Sequence, residues 1–481
     1  MESTPSTSFR ALIFIVAYNA QRHIVSVLDR IPTSIWNKEL YDCDILVIDD
    51  FSKDATWDVC NEYCERTGRK VTVLRTPTNQ GYGGNQKLGY TYAIQKGYDA
   101  VVMLHGDGQY APEMLPDMIA PMASGQSEVV FGSRMLKRRD ALKGGMPKYK
   151  FAANIALTTV QNAMIGTRLS EFHTGYRAYA TSALKRIPFR YNSDWFDFDT
   201  DIIIQLADQR IAVTEIAIPT HYGDEICHVD NMRYGTAILK ACTQSRLQRY
   251  GIFYHRKFDY EPETVYRDKT HFASSHSFAV SQVMAGETVL VVGCGADHVE
   301  KALQAKGCKV ERLAGDELDI HHYPQLQLDA VVILDIVGNT NSPEDFLEGL
   351  YERLKDTPST RIIVTSPNIA FWITRAMLLL GRFEYGKRGI LDKSHKRIFT
   401  FPSLRRLVQQ SGFIVEQTKG IPAPFPLALR NQTLATILLK ANQLALRLGR
   451  GLFSFQIGLV ARPKQAFETV FANTLQSEKQ R

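Results

Sequence analysis

The sequence predicts an α/β protein built from two successive wound units, each a largely parallel sheet flanked by helices. Three observations carry this. Apolar runs of strand length alternate with helical patterns from Ala11 to about Tyr250. The periodicity then lapses over the aromatic, charged stretch Gly251–Gly286 and restarts at Thr288. At 481 residues, with 44% apolar and 22% charged, the chain is long and apolar enough for two or three separate cores.

In the first unit the expected strands are Leu12–Val16, Ile45–Ile48, Val71–Leu74, Val101–Leu104 and Val129–Phe131. Helices are expected at Ile24–Ile31, Thr56–Thr67, Gly84–Lys96 and Pro112–Ala123. The second unit opens with Thr288–Val292, Gly293-Cys294-Gly295 and a helix from Val299 to Lys306. Strands at Lys309–Leu313, Ala330–Leu334 and Arg361–Thr365 follow. This places domains at 9–250 and 276–463, a connector at 251–275 and a tail at 464–481.

The net charge of +7 is mild, and no interleaved basic-aromatic stripe or recognition motif accompanies it, so nucleic acid is not an expected partner. The cysteines form no CxxC pair, which suits a reducing, cytoplasmic compartment. MESTPSTSFR has no charged region followed by an apolar core, so no signal peptide is expected. The apolar stretches Phe371–Phe383 and Leu434–Leu459 are broken by Arg375, Arg382, Lys440, Arg447 and Arg450, and read as amphipathic helices facing the core. A peripheral place on the inner membrane face is the alternative for them.

The chemistry collects where strands end. Val101–Leu104 runs into His105-Gly106-Asp107-Gly108-Gln109, two oxygen-bearing side chains on one turn, able to hold a hard divalent cation. Strand one exits into Ala17-Tyr18-Asn19, and strand two into Asp49-Asp50 and a helix-capping cluster. Strand three exits into Asn79-Gln80-Gly81-Tyr82-Gly83-Gly84, whose glycines allow close backbone approach. Together these loops form one polar edge suited to a nucleoside diphosphate.

These motifs, with Gly132-Ser133-Arg134, Phe172-His173-Thr174-Gly175-Tyr176-Arg177 and Ile218-Pro219-Thr220, resemble the family 2 glycosyltransferases, and within them the dolichol-phosphate mannose synthase-like branch. The resemblance covers residues 10–250 and implies a GT-A-like fold that binds a sugar nucleotide. It implies that Asp50 reads the base, with Ala17, Tyr18, Asn19, Asp49, Asn79 and Gly81 around the nucleotide sugar. It implies that Asp107 and Gln109 hold Mg²⁺ or Mn²⁺ on the diphosphate, while Arg134 and Arg177 meet phosphate oxygens. Two positions depart from the family pattern: His105 stands where a first Asp is common, and Ala20 where an acid often follows Tyr-Asn.

A polyprenyl phosphate acceptor is already anionic and needs no general base; a glycolipid or glycan hydroxyl needs one. The run Trp195–Asp201 offers carboxylates for that task, with Asp199 the first choice and a helix-start acidic cluster the alternative. Lys148–Gly166 is amphipathic with a basic beginning and would suit a membrane-borne acceptor.

Residues 276–463 resemble class I S-adenosylmethionine-dependent methyltransferases, a Rossmann-like fold, through Val289–Gly295 and the downstream runs Gly386–His395, Phe399-Thr400-Phe401 and Ser411-Gly412-Phe413. The resemblance implies cofactor contacts at Gly293, Gly295 and Asp335. Against it, Val291 stands where an acid is usual, and Asp297 where a third glycine is usual. Lost charged hydrogen bonds cost about 1.5–3 kcal/mol each, so a degenerate, non-methylating domain is expected.

The expectation is a metal-dependent inverting glycosyltransferase. It would move sugar from a UDP- or GDP-sugar to a polyprenyl phosphate or glycolipid in envelope or surface-polysaccharide synthesis. A bifunctional enzyme that also methylates its glycan, and a non-catalytic scaffold, are the alternatives.

Overall fold

The structure is a computed structural model that describes residues 9–220, 231–249, 252–259, 267–313, 327–387, 389–429, 431–467 and 469–471. The chain separates into two units, Met1–Gln248 with His255–Tyr260, and Arg249–Tyr254 with Glu261–Arg481. Most of the expected tail, residue 468 and residues 472–481, lies outside the described residues.

In the first unit, β1 (Arg10–Ala17) is a run of apolar residues buried from Ala11 onward. Its alternate side chains feed two cores: Leu12, Phe14 and Val16 on one face of the sheet, Ile13 and Ile15 on the other. A strand buried on both faces must be central, and β1 pairs in parallel with β2 (Asp42–Asp49) and with β4 (Ala100–His105). With β3 (Val71–Arg75), β5 (Val129–Ser133), β6 (Arg177–Ala180) and β7 (Thr214–Ala217) the order is β3-β2-β1-β4-β6-β5-β7. Only β6 runs against its neighbours β4 and β5; every other pairing is parallel.

Strands β6 and β7 were not expected. Each has four residues, RAYA and TEIA, too short and too polar to register as an apolar run. Helix Gly81–Gln95 begins three residues before the expected start at Gly84. Glycines ordinarily weaken a helix, but here the Asp194 carbonyl accepts from Gly83 N–H at 2.8 Å and Gly84 N–H at 3.2 Å. Those glycines therefore approach protein: a Cβ on Gly81 would stand 2.5 Å from the Asp194 carbonyl oxygen, and one on Gly83 2.4 Å from that of Ser193.

The second unit has strands β8 (Thr288–Gly293), β9 (Lys309–Leu313), β10 (Ala330–Leu334), β11 (Arg361–Pro367), β12 (Phe413–Ile421) and β13 (Gln456–Pro463), ordered β12-β13-β11-β10-β8-β9. Pairings among β8 to β11 are parallel, while β13 is antiparallel to both β11 and β12. The stretch Leu434–Leu459, expected to be an amphipathic helix, divides into helix Gln432–Leu448, the short helix Arg450–Phe453 and then β13. Gly449 and Ser454 mark the breaks. No helix among the described residues is long and apolar enough to cross a membrane.

Candidate active site

Register sets the site. Ala17 lies opposite Asp49, Val16 opposite His105, and Asp49 opposite Arg75, so β1, β2, β3 and β4 end level with one another. Their polar exits are brought to one edge, the carboxyl edge where open parallel sheets place ligands.

Two of these exits are braced against each other. Asn19 takes a left-handed backbone, φ 50°. Its N–H donates to Ser52 Oγ at 2.8 Å, and its Oδ1 accepts from Lys53 N–H at 2.9 Å. Ala20 N–H donates to Thr56 Oγ1. Tyr18 and Asn19 stay exposed while Ala17 and Ala20 are buried. The small Ala20 thus fills a packed position beside the turn, which accounts for an apolar residue there.

Asp49 is wholly buried and serves the backbone turn. Its Oδ1 accepts from Ser52 N–H and from the Ser52 hydroxyl, and Arg75 Nε lies 3.3 Å from Oδ2. Asp50 Oδ1 accepts from Gln80 N–H at 2.8 Å and from Thr76 Oγ1 at 3.1 Å. Burial pushes the Asp50 carboxyl above its ordinary range, and those donors pull against the rise. Asn79 joins the same turn, donating to the Asp50 carbonyl and accepting from Gly81 N–H. Asp49, Asn79 and Gly81 thus hold the turns of this edge together, whereas Tyr18 and Asn19 are exposed on it.

At the end of β4, Asp107 is partly exposed, and its Oδ1 accepts from Gln109 N–H at 3.0 Å, a bond that closes the turn. Gln109 is also partly exposed on that turn, beside Gly108 with φ 80°. His105 points elsewhere. Its Nε2 lies 3.2 Å from Tyr82 Oη, and Tyr82 Oη donates to Asp199 Oδ2 at 3.3 Å. Which of the pair Tyr82 and His105 donates depends on the imidazole tautomer. Burial holds the His105 imidazole below its ordinary pKa despite the nearby carboxylates Asp107 and Asp199.

Asp199 is buried in the same network. Gln86 Nε2 donates to its Oδ1 at 3.3 Å, and Arg177 Nη1 lies 3.4 Å from that oxygen. Burial pushes the Asp199 carboxyl up against the pull of Arg177. A carboxylate with three protein partners and 6% exposure is placed to hold Tyr82, and through it His105, in position. Its two oxygens are engaged by Tyr82, Gln86 and Arg177.

The two arginines expected at phosphate oxygens are both buried and paired within the protein. Arg177 is 0% exposed. Its guanidinium donates to the carbonyls of Thr174, Phe172 and Asp199 at 2.8–3.1 Å and stacks on Phe131 at 4.7 Å. The Asp199 carboxylate outweighs the cost of burial and keeps it charged. It has no surface to give a phosphate. Arg134 is 7% exposed and grips Glu171: Nε lies 3.1 Å and Nη2 2.5 Å from Oε1, while Nη2 also meets the His173 carbonyl. Burial raises the Glu171 carboxyl, but the Arg134 charge and hydrogen bonds win and hold it below the usual carboxylate range.

Glu171, Tyr82 and Gln86 are the residues that sequence reasoning missed. Glu171 precedes the Phe172-His173-Thr174 run, and a lone acid beside an aromatic run is a signal of a buried pair. Tyr82 stood among glycines that drew attention to backbone approach instead. His173 completes this wall, with Nδ1 3.0 Å from Tyr234 Oη and burial lowering its pKa to about 4.

In the second unit, Gly293 and Gly295 sit where β8 gives way to helix Ala296–Ala305, at the point where β9 lies on one side and β10 on the other. A Cβ on Gly293 (φ 109°) would lie 2.2 Å from the Leu334 carbonyl oxygen, so this glycine serves strand packing. Asp335 Oδ1 accepts from Thr365 Oγ1 at 2.9 Å and Oδ2 from Gln456 Nε2 at 2.5 Å. Both oxygens are engaged within the sheet edge. No group of three or more His, Cys, Asp or Glu able to hold a metal occurs among the described residues.

The description "Glycosyl transferase family 2" matches residues 12–187. The chain is 27% identical over 223 residues to the UDP-N-acetylglucosamine–dolichyl-phosphate N-acetylglucosaminyltransferase of Methanococcus voltae, covering 44% of this chain and 86% of that protein. It is 27% identical over 210 residues to the undecaprenyl-phosphate mannosyltransferase of Micrococcus luteus, covering 44% and 82%. Among solved structures, mannosyl-3-phosphoglycerate synthase from Rubrobacter xylanophilus aligns at a TM-score of 0.39 and 16% identity, over 53% of this chain and 79% of that one. The level strand ends and their polar exits lie within or beside the matched segment, and over residues 12–187 the chain is similar to the family 2 glycosyltransferases.

Proposed function

We propose that the first unit transfers a sugar from a UDP- or GDP-sugar to a polyprenyl phosphate, with inversion at the anomeric carbon, in envelope or surface-polysaccharide synthesis. The observation that carries this is the common level at which β1, β2 and β4 end, which sets Tyr18-Asn19, Asp50 and Asp107-Gln109 along one edge. The named activities of the two relatives, on dolichyl and undecaprenyl phosphate, supply the acceptor class. Asp199 supports the same choice. It is committed to Arg177, Gln86 and Tyr82, and a phosphate oxygen needs no proton taken from it.

In this reading Asp50 faces the base and Tyr18-Asn19 flank the nucleoside. The donors Asp107 and Gln109 are hard oxygen ligands at a partly exposed turn, which fits Mg²⁺ or Mn²⁺; these ions take one or two carboxylates and complete their shell from substrate phosphates and water. Such a cation neutralises charge on the departing diphosphate. His105, turned to Tyr82, leaves the carboxylate turn as the ligand site. Arg134 and Arg177 act at one remove. Arg134 ties the β5 exit to Glu171 and His173, and Arg177 anchors Asp199 beneath Tyr82.

For the second unit we favour a methyltransferase-like fold that does not use S-adenosylmethionine, because both Asp335 oxygens are held by Thr365 and Gln456. A thermal-shift screen of the full chain tests both readings. At a hundred times its dissociation constant a donor adds about 2.7 kcal/mol. A UDP- or GDP-sugar with Mn²⁺ is therefore expected to raise the first transition by several degrees, while S-adenosylmethionine moves neither. A shift with S-adenosylmethionine alone would reverse the assignment of the second unit.

A further inference from the structure

Helix Gln432–Leu448 leaves an apolar stripe in solvent. Leu434, Ile437, Leu444 and Leu448 are 45%, 58%, 62% and 85% exposed, and with exposed Ala441 they recur at i, i+3, i+7, i+10 and i+14. That spacing puts them along one side of the helix, while Ala435 and Leu439 are buried on the other. A second apolar group stands on helix Trp372–Leu379 and the turn after it, where Trp372, Leu379 and Leu380 are 48%, 88% and 70% exposed. The segments that flank the two are tied together: Asn368 Nδ2 donates to the carbonyls of Gly451 and Ser454, and the Phe371 and Phe455 rings pack at 5.7 Å.

Charge distinguishes what can cover this face. From Gln417 to Phe467 the sequence contains no Asp or Glu, and its Lys and Arg residues amount to the chain's whole net charge of +7. The segment Thr357–Phe383 likewise holds Arg361, Arg375 and Arg382 and no acid. Lys440 and Arg447 flank the stripe one residue before Ala441 and Leu448. A second copy pairing stripe to stripe would bring cation against cation with no acid on either helix to offset it. An anionic bilayer surface offers the complement to both features, acyl chains for the leucines and headgroups for the cations.

We propose that this face of the second unit docks on an anionic phospholipid membrane, lying in the interface with the leucine stripe and Trp372 in the acyl boundary. The proposal draws its purpose from the polyprenyl-phosphate reading, since that acceptor resides in a bilayer. Vesicle binding is nevertheless read without any substrate, so the two ideas fail separately.

Co-sedimentation of the full chain with vesicles is the test. The protein is expected to bind phosphatidylcholine vesicles containing phosphatidylglycerol, to bind phosphatidylcholine alone at least tenfold less, and to be released as salt rises. Leu444→Glu with Leu448→Glu should weaken binding at least tenfold while leaving the circular dichroism and thermal midpoint in place, because both side chains are exposed. Lys440→Gln and Arg447→Gln should each weaken it about fivefold. All three variants should keep turnover on a detergent-dispersed acceptor. Absence of binding to the anionic vesicles, or undiminished binding by the folded Glu variant, would overturn the proposal. So would self-association that the Glu variant abolishes in a protein that ignores vesicles.

Discussion

Asp107→Ala is expected to cut nucleoside-diphosphate release by at least about a thousandfold, the scale on which removal of a transition-state charge stabiliser is felt. The fold should survive. Asp107 is partly exposed, and its one hydrogen bond, from Gln109 N–H at 3.0 Å, closes a turn that Gly108 already shapes with φ 80°. Losing it should cost about 1 kcal/mol. A fall in turnover with an almost unmoved melting point therefore separates a ligand role from a structural one. Asp107→Asn sharpens the comparison, since its amide oxygen can still accept from Gln109 N–H but carries no charge for a cation. Turnover is read from diphosphate release at saturating Mn²⁺, and stability from calorimetry on the same preparations. Turnover by Asp107→Ala within tenfold of the parent would remove the carboxylate from the account.

Arg177→Met is expected to act in the opposite manner, lowering stability before it touches chemistry. The side chain is fully buried, donates to three backbone carbonyls and faces the Asp199 carboxylate at 3.4 Å. Breaking a buried pair by removing one member leaves an uncompensated charge and costs about 3–5 kcal/mol. For a unit of this size that is on the order of 10 °C in the first melting transition. Asp199→Asn in the same chain removes the stranded charge, so the double variant should recover part of the loss, and a thermodynamic cycle measures the coupling. A phosphate-contacting arginine would behave differently: KM for the donor would rise while the transition stayed put. That pattern would restore Arg177 to the substrate.

What the sequence makes legible follows from which signals are local. β1, β2 and β4 each carry an apolar run because both faces of a central parallel strand are buried, and such runs stand out. The polar exits follow them directly, so Asp50 and Asp107 could be placed on one edge without coordinates. β6 escaped because it is four residues long and begins with the buried Arg177, whose charge is cancelled by residues distant in sequence. The start of helix Gly81–Gln95 was misplaced because its donors are satisfied by Asp194, more than a hundred residues later. Motif resemblance identified Arg134 and Arg177 as fixed features but said nothing of their partners. Glu171 and Asp199 take up their charge, and only tertiary structure brings those carboxylates in. β13 was hidden by an apolar stretch that reads as one helix until Gly449 and Ser454 divide it.

The pH behaviour of the site follows from the same burial. His105 and His173 are both held below the ordinary imidazole pKa, His173 at about 4.

The central claim is transfer of sugar to a lipid phosphate, and mass spectrometry of the lipid product tests it most directly. The full chain would be incubated with undecaprenyl phosphate, Mn²⁺ and a panel of UDP- and GDP-sugars, with Asp107→Ala in parallel. The account predicts one sugar added to the lipid phosphate, equimolar with the nucleoside diphosphate released, and no product from the variant. Diphosphate release at the same rate without the lipid, or sugar recovered only on a hydroxyl acceptor, would contradict it.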